Sequence, residues 1–237
     1  MRVLITRPWE DAEPLAAALR THGVDSVVAP LLNVRYLAGP ALDLQGVQVL
    51  LATSANGVRA FAARQPDRNL PVYAVGDATA RTARAEGFAE VEVASGDVAA
   101  LAELVRDRLD PAAGTLIHAA GTKVAGDLAG MLGEGGFDYR RAVLYEALTA
   151  ERLPPVAVQG IRDRSLDGVV MYSPRTAATF VKLVQKAELD NNCHAQHAFC
   201  LSQAVADRAA SISWKSIVVA IRPEQSEMVN AVIAVDK

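Results

Sequence analysis

The sequence predicts an α/β protein built as two parallel-sheet domains, and three observations predict it. First, short apolar runs alternate with segments of helical period along almost the whole chain, the rhythm of βα units on an open parallel sheet. Second, one signature occurs twice: LLATSANGVRAF at 50–61 and VVMYSPRTAATF at 169–180 each join an apolar run, a Ser turn and a helix-like stretch ending in Phe. Each is followed by a second unit of the same kind, VYAVGDATARTA at 72–83 and AFCLSQAVADRA at 198–209. Third, 51% of the 237 residues are hydrophobic but only 5% are aromatic, so the core must be Ala, Val and Leu, which suits helices packed closely on parallel strands.

Taken in order, strands are expected near 2–6, 25–29, 47–52, 71–75, 90–93, 115–119, 168–172, 198–201 and 216–221, with helices near 10–21, 56–64, 78–86, 97–109, 123–132, 174–187, 203–210 and 224–234. Gly23 follows the helix carrying Leu15 and Leu19, and Gly87 follows the one carrying Thr79 and Ala83; both are natural left-handed helix stops. Asp97 is an N-cap ahead of the apolar stripe Val98, Leu101, Ala102, Val105 and Leu109. Pro223 suits the first position of the last helix. Two stretches break the rhythm. Residues 30–46 hold Pro30, Gly39, Pro40 and Gly46 around an extended segment, and residues 141–156 form an extended run closed by Pro154 and Pro155. Crossing over at the first and returning at the second would nest the domains: 1–33 plus 150–237, and 38–143, with 34–37 and 144–149 as connector strands.

Several function classes are excluded. A net charge of −3 and a pI near 5.8 give no basic footprint for nucleic acid. No apolar run approaches the ~20 residues of a membrane span. MRVLITRP enters a strand directly, without the regions of a secretory leader, so a cytoplasmic protein is expected. Cys193 and Cys200 make no disulfide framework, and with His194 and His197 their spacing does not match the common zinc fingers.

A strand that ends in Ser, Thr or Gly and runs into a helix presents free backbone N–H groups, so a ligand rich in negative oxygens is the expected guest. Thr53, Ser54 and Asn56 stand at the carboxyl end of the third strand, where open α/β sheets bind ligands; Ser54 could equally be a simple helix cap. Ser173 takes the matching place in the second copy. Gly76, Asp77 and Thr79 form the turn of VYAVGDATA, where Gly76 permits a close backbone approach or a positive φ. Arg7 could clamp a carboxylate or lie in solvent. Gly121 and Lys123 repeat the strand–Gly–helix theme, and Tyr145 in the return segment offers a weakly acidic hydroxyl or a packing ring. Neither the dinucleotide nor the P-loop glycine fingerprint is present, which speaks against a nucleotide enzyme. No Ser–His–Asp or Cys–His arrangement stands out.

With those residues assembled, the chain resembles the uroporphyrinogen-III synthases, the cyclases of tetrapyrrole biosynthesis. The resemblance runs the whole length and rests on the order of LITRP, AP-LL, ATSANGVRAF, VYAVGDATA, SGDVAAL, HAAGTKVAGDL, VLYEAL, VVMYSPRTAATF and CLSQAVADRA. It implies two nested Rossmann/flavodoxin-like domains joined by a two-stranded connector, with the active site in the cleft between them. It implies closure of hydroxymethylbilane to uroporphyrinogen III with ring D inverted and water lost, without metal or organic cofactor. Tyr145 of VLYEAL is then the proton donor, with Thr79 beside it as a catalytic candidate. Substrate contacts would fall to Arg7, Thr53, Ser54, Asn56, Gly76, Gly121, Ser173 and Ser202. The expected setting is a cytoplasmic monomer that can take its substrate from hydroxymethylbilane synthase. One departure stands out: LSQAVA puts Ser202 where the family has Gly, and Ala204 and Val205 where Thr is expected. That departure sustains the alternative of a non-catalytic two-domain protein binding a polycarboxylate.

Overall fold

The computed structural model describes all residues but Ser95, Ala125 and Lys237. Ser95 opens the SGDVAAL motif and Ala125 lies within HAAGTKVAGDL, so those two positions fall outside the described residues. In chain order the elements are β1 (Arg2–Ile5), α1 (Trp9–Arg20), β2 (Asp25–Val28), β3 (Leu32–Tyr36), β4 (Val47–Ala52), α2 (Ala55–Arg64), β5 (Val72–Ala74) and α3 (Asp77–Ala85). There follow β6 (Val91–Val93), α4 (Val98–Arg108), β7 (Thr115–Gly121), α5 (Leu128–Gly133) and β8 (Tyr139–Thr149). The chain closes with α6 (Pro155–Arg162), β9 (Gly168–Met171), α7 (Pro174–Lys186), β10 (His197–Cys200), α8 (Gln203–Ala209), β11 (Ser216–Val219) and α9 (Gln225–Asp236).

Contacts divide the chain into two units, Met1–Asn33 with Leu148 onward, and Val34–Ala147. The first unit holds a five-stranded sheet in the order β11-β10-β9-β1-β2, its pairs all parallel. The six-stranded sheet has the order β3-β8-β7-β4-β5-β6, with β8, β7, β4, β5 and β6 parallel. At its edge, Leu37 N–H donates to the Leu144 carbonyl and Ala150 N–H to that of Leu31, so β3 and β8 run in opposite directions.

The period of two along each strand explains the layering. In the first unit Leu4, Val169, Met171, Ala198 and Cys200 face the core under α6, α7 and α8, while Val3, Ile5, Val170 and Phe199 face α1 and α9. In the second, Leu50, Ala52 and Ile117 face α2 and α3, and Val49, Leu51 and Leu116 face α4 and α5. Phe61, Phe180 and Phe199 are fully buried, each worth roughly 2–3 kcal/mol of hydrophobic transfer.

The expected strands are all present. Gly23 and Gly87 end their helices at φ 78° and 93°, and the Asp97 carboxylate accepts from the Ala99 and Ala100 amides. Three expectations need correction. The helix placed at 123–132 starts only at Leu128, because the Asp127 carboxylate caps the Gly130 amide. The sequence predicts no helix between 132 and 174 and an extended run through 156, but residues 155–162 form α6: Pro155 sits in the first turn, where its missing N–H costs nothing, and Ala157 and Ile161 reach the core. Pro223 lies in the bend before α9, which begins two residues later at Gln225.

Candidate active site

Each sheet has one place where the chain reverses its winding, and there the carboxyl ends of two neighbouring strands open a crevice. In the second unit that place lies between β4 and β7: from β4 the chain moves towards β5 and β6, and from β7 towards β8. Thr53 and Ser54 follow β4, and Gly121 ends β7.

Ser54 is the N-cap of α2, its Oγ accepting the Gly57 amide at 3.0 Å. The same Oγ lies 2.8 Å from the Tyr145 hydroxyl. Tyr145 is 9% exposed and packs into the α2-side core of its own unit. Its ring needs Gly121: a Cβ at that position would stand 2.8 Å from the Tyr145 Cζ. A register shift between Ala120 and Gly121 brings Gly121 opposite Tyr145, and Arg141 holds the strand end by donating to the Gly121 carbonyl at 2.7 Å. Helix α2 crosses just as closely, since a Cβ on Gly57 would lie 2.3 Å from the Ala119 carbonyl oxygen.

On the opposite face, Thr53 Oγ1 is 2.9 Å from His118 Nε2, and His118 Nδ1 is 2.6 Å from the Tyr139 hydroxyl. His118 is 2% exposed. Burial, with the Arg141 charge adding to it, lowers its pKa to about 4, so the imidazole is neutral near pH 7. Burial likewise raises the Tyr139 hydroxyl, chiefly against the pull of Arg141. The sequence reading missed both residues. A usable signal was present: the histidine of TLIHAAG lies in the middle of a strand that must be buried, and a buried imidazole needs partners.

The other predicted residues are placed as follows. Asn56 turns its Oδ1 to Arg59 of its own helix at 3.3 Å. Gly76 is the residue before α3 with φ −171°, so the positive-φ reading is corrected; a Cβ there would meet open space. Thr79, in the first turn of α3, is 5% exposed. In the first unit the winding reverses between β1 and β9, which brings together Arg7 after β1 and Tyr172 and Ser173 after β9. Arg7 is partly buried rather than free in solvent: its guanidinium lies 3.9 Å from the centroid of the Tyr172 ring and 3.6 Å from the Asp11 carboxylate. Ser173 caps α7 through the Thr176 amide and bonds the Thr176 hydroxyl at 2.8 Å. Ser202 stands before α8 as Gly76 does before α3, and its side chain makes no cap bond. Cys193 and Cys200 are buried thiols pushed up to about 12 by desolvation. Among the described residues no three His, Cys, Asp or Glu side chains converge as metal ligands, and no helix is long and apolar enough to cross a membrane.

Two doubly wound α/β units, each with a Ser-capped helix at its winding reversal and one with hydroxyl and imidazole groups gathered there, define a two-unit doubly wound α/β protein. The model of the family "Uroporphyrinogen-III synthase HemD" matches residues 13–230. A uroporphyrinogen-III synthase of Chlorobaculum parvum is 28% identical over 209 residues, 80% of this chain and 82% of the relative. The chain belongs to the uroporphyrinogen-III synthase family, whose place is tetrapyrrole biosynthesis. The solved uroporphyrinogen-III synthetase of Helicobacter pylori superposes with a TM-score of 0.64 at 17% identity, covering 99% of this chain and 100% of the other. A mutant uroporphyrinogen III synthase of Thermus thermophilus gives 0.55 at 17% identity, covering 100% and 99%. At such identities these structures speak for the fold.

Proposed function

We propose that this chain closes hydroxymethylbilane into uroporphyrinogen III, inverting ring D and releasing water, as a hydro-lyase. Family membership over 13–230 supports the reaction, and the contact between Tyr145 and Ser54 carries the assignment of its acid. Loss of the terminal hydroxyl from the substrate leaves an electrophilic azafulvene, and that departure needs a proton. The Ser54 oxygen already accepts the Gly57 N–H, so its own proton is available to the Tyr145 oxygen. The phenol proton is then free for the leaving hydroxyl. Ring D attacks through its substituted carbon, and the spiro intermediate fragments and recloses with the ring turned over. Reactive pyrroles close unaided to the uninverted isomer, so the protein's main task is to hold the chain in the geometry that leads to inversion.

For the carboxylates of the substrate, the helix N-termini after β4 and β5 supply backbone N–H groups, Thr53 and Thr79 supply hydroxyl protons, and Ser54 takes part by capping α2 while its own proton goes to Tyr145. Asn56, Gly76, Gly121, Arg7, Ser173 and Ser202 complete the proposed set, Gly121 acting by admitting the Tyr145 ring. In this reading 1–33 with 150–237 and 38–143 are domains joined through 34–37 and 144–149. The protein works as a cytoplasmic monomer, uses no metal or organic cofactor, and takes its unstable substrate from hydroxymethylbilane synthase.

The test is a coupled assay in which enzymatically generated hydroxymethylbilane is offered to the purified chain and the isomers are separated after oxidation. Isomer III should predominate; isomer I alone, at the uncatalysed rate, defeats the proposal. Tyr145→Phe keeps the ring against Gly121 and should lower kcat on the order of a hundredfold. An unchanged rate removes Tyr145 from the chemistry.

A further inference from the structure

We infer that Tyr139 and His118 are positioning residues that fix the Thr53 hydroxyl as a hydrogen-bond donor towards a carboxylate of the substrate. The inference rests on the proposed reaction but uses groups to which that mechanism gives no part. Tyr139, His118 and Thr53 form one chain of two hydrogen bonds, 2.6 Å and 2.9 Å long, ending at the carboxyl end of β4. A neutral imidazole has one N–H and one bare nitrogen, so the chain can run only one way at a time. If Nδ1 carries the proton, Nε2 must accept the Thr53 proton, and the hydroxyl shows only lone pairs to a ligand. If Nε2 carries it, Thr53 accepts from the ring and its own proton points away, towards the crevice.

The second arrangement is the one the surroundings favour. A phenol is the stronger donor of the Tyr–His pair and a bare imidazole nitrogen the stronger neutral acceptor, so Tyr139 donates to Nδ1. The 2.6 Å separation suits an O–H···N bond. Burial keeps the Tyr139 proton in place, and it keeps the ring neutral, since an imidazolium would donate from both nitrogens and could not accept from Tyr139. Arg141, its register partner on β8, opposes any positive charge on the ring. The Nε2–H tautomer follows, and with it a Thr53 hydroxyl whose own proton is free to donate. A carboxylate, which only accepts, can take that proton; in the other tautomer it would meet only lone pairs.

Imidazole nitrogen NMR of the full chain labelled in histidine tests this without substrate. His118→Gln identifies the signal among the four histidines. A protonated Nε2 with a bare Nδ1 is expected, and a protonated Nδ1 overturns the inference. Tyr139→Phe should release the tautomer preference and raise KM for hydroxymethylbilane about threefold to fivefold with kcat nearly unchanged, while Thr53→Val should raise it about tenfold or more. The double variant should be no worse than Thr53→Val alone. A wild-type KM in Tyr139→Phe overturns the positioning role, and so does a KM unmoved by Thr53→Val. A wild-type chain that yields only isomer I is a different failure, visible before any variant is made, and strikes the proposed reaction instead.

Discussion

The two winding reversals use the same turn in different chemical states. After β4 the pair Thr53–Ser54 is fully engaged: Ser54 caps α2 and holds Tyr145, and Thr53 meets His118. After β9 the matching pair is Tyr172–Ser173. Ser173 caps α7 in the same way, but its second bond goes to Thr176 of that helix, and the Tyr172 hydroxyl is buried without a well-formed hydrogen bond among the described residues. The capping serine is common to both copies because a helix N-terminus needs an acceptor whatever the site does. What differs is the neighbouring strand. Strand β7 supplies His118 and a glycine end that admits Tyr145, whereas β1 supplies Arg7 lying over an aromatic ring. Repetition of a motif therefore marks a repeated fold, and the partners on adjacent strands decide which groups each copy presents.

The sharpest break of this comparison is steric. Gly57 and Thr176 hold the same place in the two copies, but the first has no room for a Cβ beside the Ala119 carbonyl, whereas the second carries a buried side chain. Gly57→Ala puts a methyl 2.3 Å from the Ala119 oxygen and should cost about 3 kcal/mol in denaturant unfolding, as α2 must lift from β7. Thr176→Ala should cost only about 1 kcal/mol, the loss of one hydrogen bond. Equal costs would mean that the two helices pack alike.

Next in size is a pH effect confined to the second unit. The His118 pKa lies at about 4 in the folded chain, below its ordinary 6.5, so the unfolded chain binds the extra proton first. The stabilisation is present above pH 6.5 and is lost as pH falls towards 4, about 3 kcal/mol over that window. His118→Gln should flatten this part of the stability profile in acid unfolding measurements. A profile that keeps its slope would assign the proton uptake elsewhere, His197 being the other histidine held below its usual value by burial.

Much of this was legible in the sequence. The strands announced themselves by β-rich apolar runs, and Asp97, Gly23 and Gly87 marked helix ends by local rules that tertiary contacts did not override. Helix α6 was not legible, because Pro154 and Pro155 read as chain breakers although the second is a favourable first-turn residue. The serine turns were visible as a repeat. The Thr53–His118–Tyr139 chain was not, since it joins three segments that only strand register brings together, and Tyr139 gave no sign in the sequence that it would lie beside His118. Gly121 was singled out as a ligand glycine; the room it makes for the Tyr145 ring was not visible in the sequence.

The two capping serines offer a smaller, paired measurement. Ser54→Ala and Ser173→Ala should each cost about 1 kcal/mol of stability, because each removes one N-cap acceptor. Only Ser54→Ala should also lower kcat in the isomer assay, because only Ser54 holds the proposed acid. Rates that fall together would put the chemistry of the two turns on an equal footing.

The smallest expected effect separates two tyrosines. The Tyr172 hydroxyl makes no well-formed hydrogen bond among the described residues, and its burial, opposed by the charge and the polar approach of the Arg7 guanidinium, raises its pKa to about 12. Removing a buried polar group that has no well-formed hydrogen bond relieves a desolvation cost, so Tyr172→Phe should leave stability unchanged or raise it by up to about 1 kcal/mol. The ring and the Arg7 stack survive the change, so packing does not confound the result. Tyr139→Phe should instead lose stability, about 1 kcal/mol, because it strands His118 Nδ1 without its donor. Thermal unfolding of the two variants side by side decides it. If Tyr172→Phe destabilises as much as Tyr139→Phe, the Tyr172 hydroxyl has a bound partner, and the first unit's turn is as chemically engaged as the second's.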